Sequence, residues 1–281
     1  MKISIVTPNY NYGRFLKKAV ASVFGQLSTE SSLEVEHIVI DGGSTDKTLD
    51  ILKDWEASLR QLSPEVLARY AFRWVSEPDN GQTDAINKGL RMTTGDIVCW
   101  LNADEYYLPG ALGKVALAFD QYPKADFIYG EPLFVDAQDK PIRVKRDHPF
   151  SKFVLLYHDC HIASCCSFWR RKILEAGHYL DDSYKVTMDY EYWCRLVRLG
   201  FTFQFIPNVI GAFTWHEKNV SVVYDERRKE ELLKVKLLYT RRLFKNPRLR
   251  VLWLRLADFV SHQYRRLLVV IRILLMKREA V

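Results

Sequence analysis

Cysteine is scarce in this chain. Among 281 residues there are 5, an odd number at irregular spacing, namely Cys99, Cys160, Cys165, Cys166 and Cys194. A secreted domain held by disulfides carries cysteines at higher density and in numbers that can pair. The composition therefore excludes a disulfide scaffold and predicts reduced thiols in a cytoplasmic protein. The N-terminus fits this location, because Met1-Lys2 leads straight into a strand-like stretch without a signal-peptide pattern.

Long apolar runs and glycine-rich phosphate loops are missing too. The apolar stretch over residues 267–276 is ten residues long and contains Arg272, whereas a membrane-spanning helix needs about 20 apolar residues. Neither G-x-G-x-x-G nor G-x-x-x-x-G-K-[ST] occurs, which argues against ordinary dinucleotide-binding and P-loop proteins.

Apolar and aromatic residues are plentiful, at 48% and 13%, which excludes a disordered chain. In the N-terminal half, predicted strands alternate with predicted helices over 14–26, 47–62 and 83–92. The strands are Ile3–Val6, which Pro8 is expected to end, Val35–Ile40, Phe72–Val75 and Ile97–Leu101. This alternation predicts βαβ units and a parallel sheet. From 110 to 226 the pattern loosens, with helices over 110–121 and 189–199 and strands over 127–129, 203–206 and 210–215.

A polar loop follows each of the four predicted N-terminal strands. The loops span residues 7–13, 41–46, 77–89 and 102–105. Each one alone also fits a helix cap or a solvated turn. Open α/β sheets, however, bind ligands beyond the carboxyl ends of their strands. Acidic residues in these loops suit Mg²⁺ or Mn²⁺, which prefer carboxylate and diphosphate oxygens.

Four motifs in these loops together resemble family-2 glycosyltransferases of the GT-A fold. They are Thr-Pro-Asn-Tyr-Asn, Asp-Gly-Gly-Ser-Thr-Asp, Glu-x-Asp-x-Gly-x-x-Asp-Ala-x-Asn-Lys-Gly and Gly-Asp-Ile-Val-x-Trp-Leu-Asn-x-Asp, within a resemblance over roughly residues 2–221. The resemblance implies an α/β GT-A fold, with a Rossmann-like, mostly parallel sheet flanked by helices. It also implies a nucleoside-diphosphate sugar donor, Mn²⁺ or Mg²⁺, and inversion at the anomeric carbon.

Individual positions take their roles from this resemblance. Asp104 matches the last acid of the D-x-D motif, which binds the metal, although Asn102 replaces the first acid. His216 matches a histidine that completes the metal or diphosphate site, and Asp41 matches the acid that binds the base. The expected nucleotide-sugar-binding residues are Thr7, Pro8, Asn9, Tyr10, Asp41, Asp79, Gln82, Asp84, Lys88, Asn102 and Ala103.

The acceptor side is expected around Thr187-Met-Asp-Tyr-Glu-Tyr-Trp193, where Asp189 matches the family's catalytic base. Asp189 opens a predicted helix, whose dipole favours the ionised carboxylate. We therefore expect it to be unprotonated at neutral pH with an ordinary pKa near 4, and Glu191 is the fallback base. The nearby residues His158, Cys160, His161, Cys165 and Cys166 match no closed zinc site and are expected to line the acceptor cleft.

The C-terminal segment differs in charge from the rest. Residues 227–281 hold 16 basic and 4 acidic residues, a net charge of +12, whereas residues 1–226 have a net charge of −5. We therefore divide the chain into a GT-A domain over 1–226 (a nucleotide-sugar half, 1–105, and an acceptor half, 106–226) and a basic amphipathic helical tail over 227–281. Such a tail suits an anionic bilayer surface, and a packing helix or a homo-oligomer interface remains open. Nucleic acid is the least favoured partner.

Two other functions also remain open at this stage. A sugar nucleotidyltransferase shares the α/β fold and the metal-binding acids, and a non-catalytic nucleotide-sugar or nucleic-acid binding module would keep the fold alone. The leading prediction is a metal-dependent hexosyltransferase, cytoplasmic and peripheral on the inner membrane face. It would act in surface polysaccharide biosynthesis on a lipid-linked or saccharide acceptor. The residues do not name the sugar, the base or the acceptor.

Overall fold

A computed structural model describes residues 1–29, 32–219, 223–240 and 246–279. Its nine strands form one mixed sheet in the order β3-β2-β1-β4-β8-β6-β9-β5, with β7 beside β6. The strands are β1 (Lys2–Asn9), β2 (Glu34–Asp41), β3 (Tyr70–Ser76), β4 (Ile97–Trp100), β5 (Glu105–Tyr107), β6 (Phe127–Asp136), β7 (Pro141–Val144), β8 (Ser167–Arg170) and β9 (Phe203–Trp215).

Ten α-helices are found in the described ranges. They are α1 (Gly13–Phe24), α2 (Thr48–Leu59), α3 (Pro64–Leu67), α4 (Gln82–Met92), α5 (Ala111–Gln121), α6 (Lys152–Tyr157), α7 (Lys172–Glu175), α8 (Met188–Leu199), α9 (Asp225–Tyr239) and α10 (Pro247–Glu279). Within those same ranges no helix is both long and apolar enough to cross a bilayer.

The N-terminal half is the predicted parallel sheet, because β1, β2, β3 and β4 pair in parallel. The prediction that Pro8 ends the first strand is wrong, since β1 runs on to Asn9. The Val6 carbonyl accepts a bond from Leu101 on the β4 side, so the nitrogen of Pro8, two residues on, faces that side as well. The β4 strand ends at Trp100, and no ladder bond is lost where proline lacks its N–H.

The C-terminal half of the sheet is mixed. The β8 strand is antiparallel to β4 and β6, and β9 is parallel to β6. The two strands predicted over 203–206 and 210–215 are one strand with a bulge, because Tyr129 pairs with Phe205 while Glu131 pairs with Val209. Gly130 lies opposite the bulge, and a Cβ there would be 2.7 Å from the Asn208 carbonyl oxygen.

An aromatic cluster fixes α8 over the centre of the sheet. Trp193 of α8 stacks on Trp100 of β4 at 5.3 Å between ring centroids and meets Phe127 of β6 at 4.5 Å. All three rings are buried, and rings of this size dominate core energetics. Tyr190, Trp193 and Val197 of α8 are all buried, so this face of the helix lies against the core.

The basic tail is helical, as predicted, but part of it is built into the body. The proposed boundary at residue 226 falls inside α9, which packs on α8. Helix α10 packs on α6 and buries Leu254 and Ala257.

Candidate active site

The loops after β1 and β2 are joined by a buried hydrogen-bond network. Asn9 Nδ2 donates to Asp41 Oδ1 at 2.8 Å. The Asp41 carboxylate also accepts from the Ser44 amide and hydroxyl and from the Ser76 hydroxyl. Burial alone would raise the pKa of Asp41, but the bonds from Ser44, Ser76 and Asn9 outweigh it and lower that pKa. Asp41 therefore ties three loops together as a carboxylate.

The other first-loop residues divide into buried and exposed ones. Thr7 is buried, with its hydroxyl 2.9 Å from His37 Nε2, and Pro8 is buried beside it. Tyr10 is 60% exposed, so its ring is free to meet a ligand at the end of β1. The contact of Asp41 with a base stays a prediction, because its oxygens face protein donors and its side chain is fully buried.

The segment after β3 is brought against the β2 and β4 loops. Asp79 Oδ1 accepts from the Gly81 amide at 2.8 Å, and a Cβ on Gly42 would lie 2.6 Å from Asp79 Oδ2. Asp84 accepts from the Asn80 amide at the start of α4. Glycine at position 42 thus lets the two loops touch.

Two further members of this segment have defined partners. Gln82 Nε2 donates to Asn102 Oδ1 at 2.7 Å, which joins the donor segment to the Asn102-Ala103-Asp104 motif. Lys88 pairs with Glu77 at 2.6 Å, and its bond to Glu77 raises the pKa of the ammonium. Ala103, the middle residue of that motif, is buried.

Asp104 and His216, both expected in a metal site, lie together although far apart in sequence. His216 Nε2 is 3.0 Å from Asp104 Oδ2, and the two side chains are 4% and 14% exposed. Phe15 stacks on the imidazole with 5.1 Å between ring centroids. Asn219 Oδ1 accepts from the His216 amide at 2.7 Å, and Asn219 Nδ2 is 3.4 Å from Asp104 Oδ2.

This donor set fits a divalent ion. A carboxylate oxygen and an imidazole nitrogen supply two ligands on one side, and diphosphate oxygens and water usually supply the others. The nitrogen ligand favours Mn²⁺ over Mg²⁺, which prefers oxygen ligands only. Asp104 and His216 are thus the residues that would hold the ion.

Glu105 follows the metal-site acid directly in the sequence. It is buried, and burial, with the Cys165 thiol and Asp104 nearby, raises its pKa well above the ordinary value. Its Oε2 accepts from the Asn102 amide at 3.0 Å. A cavity of about 230 Å³ opens beside Asp104 and is lined in part by Arg14, Phe15 and Lys18.

Asp189 is half-buried in the first turn of α8, and its Oδ1 accepts from the Tyr190 amide at 2.7 Å. Burial raises the pKa of Asp189 to about 6, with Asp159 adding to the rise and Lys145 opposing it. This corrects the expected pKa near 4, because loss of hydration outweighs the helix dipole. The carboxylate is mostly ionised at pH 7 and is a stronger base than an exposed aspartate.

The segment before Asp189 runs beside the donor loop. Thr83 Oγ1 donates to the Tyr184 carbonyl at 3.0 Å, and Lys185 Nζ donates to the Asn80 carbonyl at 3.0 Å. Because Thr83 lies in the first turn of α4, the start of α8 is placed at the same sheet edge as the Asn102–Asp104 motif. Glu191, the fallback base, is instead buried and paired with Arg195 at 2.8 Å.

Glu231 is a residue that the sequence analysis missed. From α9 its carboxylate accepts bonds of 3.0 Å from the amides of Lys185, Val186 and Thr187, directly before Asp189. No local pattern could show this, since Glu231 lies more than 40 residues further along the chain. Asn219 was also missed, although an asparagine three residues after His216 is the spacing of a side-chain turn.

The histidines and cysteines weighed against zinc do not form one site. Among the described residues, His161 lies with Asp147 and His148 instead, their potential ligand atoms being within 4.8 Å of one another. Arg265 Nη2 is 3.9 Å from the Asp147 carboxylate. The guanidinium therefore already supplies this cluster with the positive charge that a metal ion would bring. Cys165 and Cys166 are buried, as free thiols. Cys160 lies near Asp189 and does not join the other cysteines in a zinc site.

The geometry describes an α/β protein with an acidic, histidine-containing site at the carboxyl ends of its strands. The model of the family described as "Glycosyl transferase family 2" matches residues 4–177. The chain therefore belongs to glycosyl transferase family 2. Of the functions left open by the sequence, glycosyl transfer is the one that the match supports.

Curated relatives agree with the family. An uncharacterized glycosyltransferase of Nostoc sp. is 30% identical over 142 residues, which are 50% of this chain and 40% of the relative. A PGL/p-HBAD biosynthesis glycosyltransferase of Mycobacterium bovis is 25% identical over 193 residues, 68% of each chain. The chain thus spans less than half the length of the first relative and about two thirds of the second.

Solved structures confirm the GT-A fold. S. aureus TarS in complex with UDP superposes with a TM-score of 0.62 at 16% identity, covering 85% of this chain and 65% of that one. The mannosyltransferase PcManGT from Pyrobaculum calidifontis, in complex with GDP-Man and Mn²⁺, gives 0.63 at 17% identity, covering 92% and 69%. At these identities the likeness concerns the fold alone.

Proposed function

We propose that this protein moves a sugar, with inversion, from a nucleoside-diphosphate sugar to an acceptor hydroxyl. The carrying observation is the Asp104–His216 pair at 3.0 Å, held at the strand ends beside the Gln82–Asn102 bond. A neighbour of the same fold binds GDP-Man with Mn²⁺, and another binds UDP, which supports such a donor here.

The donor half of the site would be the loops after β1 to β4. The nucleotide would lie over Tyr10 and the 79–84 segment, with Asp41 holding the loops from beneath. Asp104 and His216 would hold Mn²⁺ or Mg²⁺, which when bound supplies positive charge for the departing diphosphate.

The acceptor half would be the cleft before α8. Asp189 would accept the proton of the acceptor hydroxyl while that oxygen attacks the anomeric carbon in line. The bond from the sugar to the diphosphate oxygen breaks as the new glycosidic bond forms, and the proton ends on the Asp189 carboxylate.

We propose a lipid-linked or saccharide acceptor in surface glycan synthesis, met at the cytoplasmic face of a membrane. A relative named for PGL/p-HBAD biosynthesis and the excess of basic residues after residue 226 support this role.

A donor screen tests the proposal. Radiolabelled UDP-, GDP- and dTDP-sugars are incubated with the full chain and Mn²⁺, with and without EDTA, and released sugar is measured. We expect one base to support hydrolysis that EDTA suppresses. Hydrolysis of none of these donors, together with no binding of any of them, would contradict the proposal.

A further inference from the structure

Helix α10 has two different faces. Its inner face is docked on the body, where Leu254, Ala257 and Ser261 are buried and Arg272 Nη1 donates to Glu131 Oε1 at 2.5 Å. Arg272 is thus held inside the protein and is not a charge of the outer face.

The outer face is an apolar stripe. Its residues recur at spacings of three and four, which places them on one side of a helix. The polar Gln263 occupies one position of this series, so the apolar residues before and after it are seven and eight positions apart. All of them are exposed, namely Leu249, Leu252, Leu256, Phe259, Val260, Leu267, Val270, Ile271 and Leu274. At 1.5 Å per residue the stripe is about 38 Å long. Solvent-facing apolar surface of this extent marks an interaction site.

Exposed arginines follow one border of the stripe. Arg248, Arg255 and Arg266 are separated by 7 and 11 residues, close to whole helical turns, and all three are exposed. Several other basic residues of the segment are already paired with carboxylates, namely Arg227, Arg228, Lys229, Lys236, Arg265 and Arg272. The border arginines are therefore the charges that this face offers to a partner.

The sign of the charge selects the partner. Between residues 247 and 278 the only acidic residue is Asp258, and it faces the body, where it bonds to Lys236 and His158. Two copies of the stripe packed together would bring their arginine borders near each other without a carboxylate on either face. Anionic phospholipid headgroups supply that missing negative charge next to an apolar layer.

We infer that the outer face of α10 is a docking surface for an anionic phospholipid bilayer, on which the helix lies flat. The inference extends the proposed function by naming the surface that would bring the cleft to a lipid-linked acceptor. The docked inner face makes the whole body follow the helix to the membrane.

The test is co-sedimentation of the full chain with phosphatidylcholine vesicles, with and without phosphatidylglycerol. We expect binding that needs phosphatidylglycerol and weakens with added salt. The variant Leu256→Glu/Leu267→Glu should lower the vesicle partition coefficient by at least about tenfold, since two apolar contacts become anionic. Arg255→Gln/Arg266→Gln should lower it by about 30-fold on anionic vesicles.

The matched control is Leu117→Glu/Leu199→Glu. Leu117 and Leu199 are 56% and 53% exposed on other helices, against 54% and 55% for Leu256 and Leu267, and this control should bind vesicles like the native chain. Equal recovery on both lipids, no binding, or an unchanged stripe variant would overturn the inference. So would a dimer, seen by light scattering, that the stripe variant dissociates. Donor binding is measured on every variant, so a chain that binds donor but no vesicle refutes only the surface.

Discussion

At the scale of single residues, the two carboxylates to which we assign functions, Asp104 and Asp189, have different surroundings. Asp104 lies beside His216 and Asn219, which hold it at the strand ends. Asp189 accepts a bond from the Tyr190 amide, and burial raises its pKa to about 6. A group with that pKa is suited to accept a proton near neutral pH.

The pKa of Asp189 gives a prediction for activity. We expect kcat/KM to rise with pH through about 6 and then to level, because only the ionised carboxylate can accept the acceptor proton. Asp189→Asn should lower transfer by about 10²–10⁴-fold. Transfer assays across pH check both points, and near-native turnover in the variant would exclude Asp189 as the base.

The same pKa gives a prediction for stability. A folded pKa above the ordinary value means that the stabilising effect of the protonated carboxyl is complete near pH 4 and is lost as the pH rises through 6. At pH 7 the buried charge therefore costs about 3 kcal/mol at most. Asp189→Asn should unfold at a higher temperature than the native chain at pH 7 and at the same temperature near pH 4. An equal shift at both values would mean that charge burial is not the cause.

The residue-scale predictions depended on the resemblance to a family, because the residues concerned lie in loops that are far apart in the sequence. Asp104 and His216 were expected to share a site, and the structure brings them together. The pKa of Asp189 was missed, because the hydration of a side chain depends on packing from distant segments. Glu231 was missed for the same reason.

At the scale of elements, α9 supports the start of α8. Glu231 is buried and accepts from three successive amides before Asp189, and Arg227 of its own helix pairs with it at 2.8 Å. These amides would otherwise lack a partner, and an unsatisfied buried donor costs about 1–3 kcal/mol.

We expect Glu231→Gln to destabilise the chain by about 1–3 kcal/mol, because an amide nitrogen would face backbone N–H groups. It should also lower turnover more than donor affinity, since the disturbed segment leads to Asp189. Urea unfolding and acceptor-dependent kinetics measure these effects. Glu230→Gln, at the exposed neighbouring position, is the control. Equal unfolding free energies and equal turnover in the two variants would show that Glu231 does not position the segment before Asp189.

Periodicity located most of the N-terminal elements to within a few residues, since those βαβ units are locally encoded. It failed at Pro8 and at the break in β9. In both places the outcome depends on a neighbouring strand, namely where β4 ends and where Gly130 leaves room.

At the scale of the whole molecule, some of the basic residues of the tail form ion pairs with acidic residues of the body and are not free at the surface. Glu131 is fully buried and pairs with Arg272 of α10 and with Arg146. Charge counts along the sequence could not distinguish the Arg272–Glu131 pair from free surface charge, because its two residues are 141 positions apart.

We expect Arg272→Ala to destabilise the chain by about 3–5 kcal/mol, because it leaves a buried carboxylate short of a partner. Arg266→Ala on the exposed border of the same helix should change stability by less than about 0.5 kcal/mol. Chemical unfolding measures both. Similar small losses in the two variants would mean that α10 is not docked through Glu131.

The separate roles proposed for Asp104 and Asp189 are tested most directly by calorimetric titration of UDP, GDP and dTDP, with Mn²⁺, into the native chain and two variants. The native chain and Asp189→Asn should bind one of these nucleotides with affinities within a few-fold of each other. Asp104→Ala should bind it at least about tenfold more weakly, because changes even in the outer shell of a metal site typically cost 10–100-fold. Unchanged affinity in Asp104→Ala, or a loss confined to Asp189→Asn, would contradict the assignment.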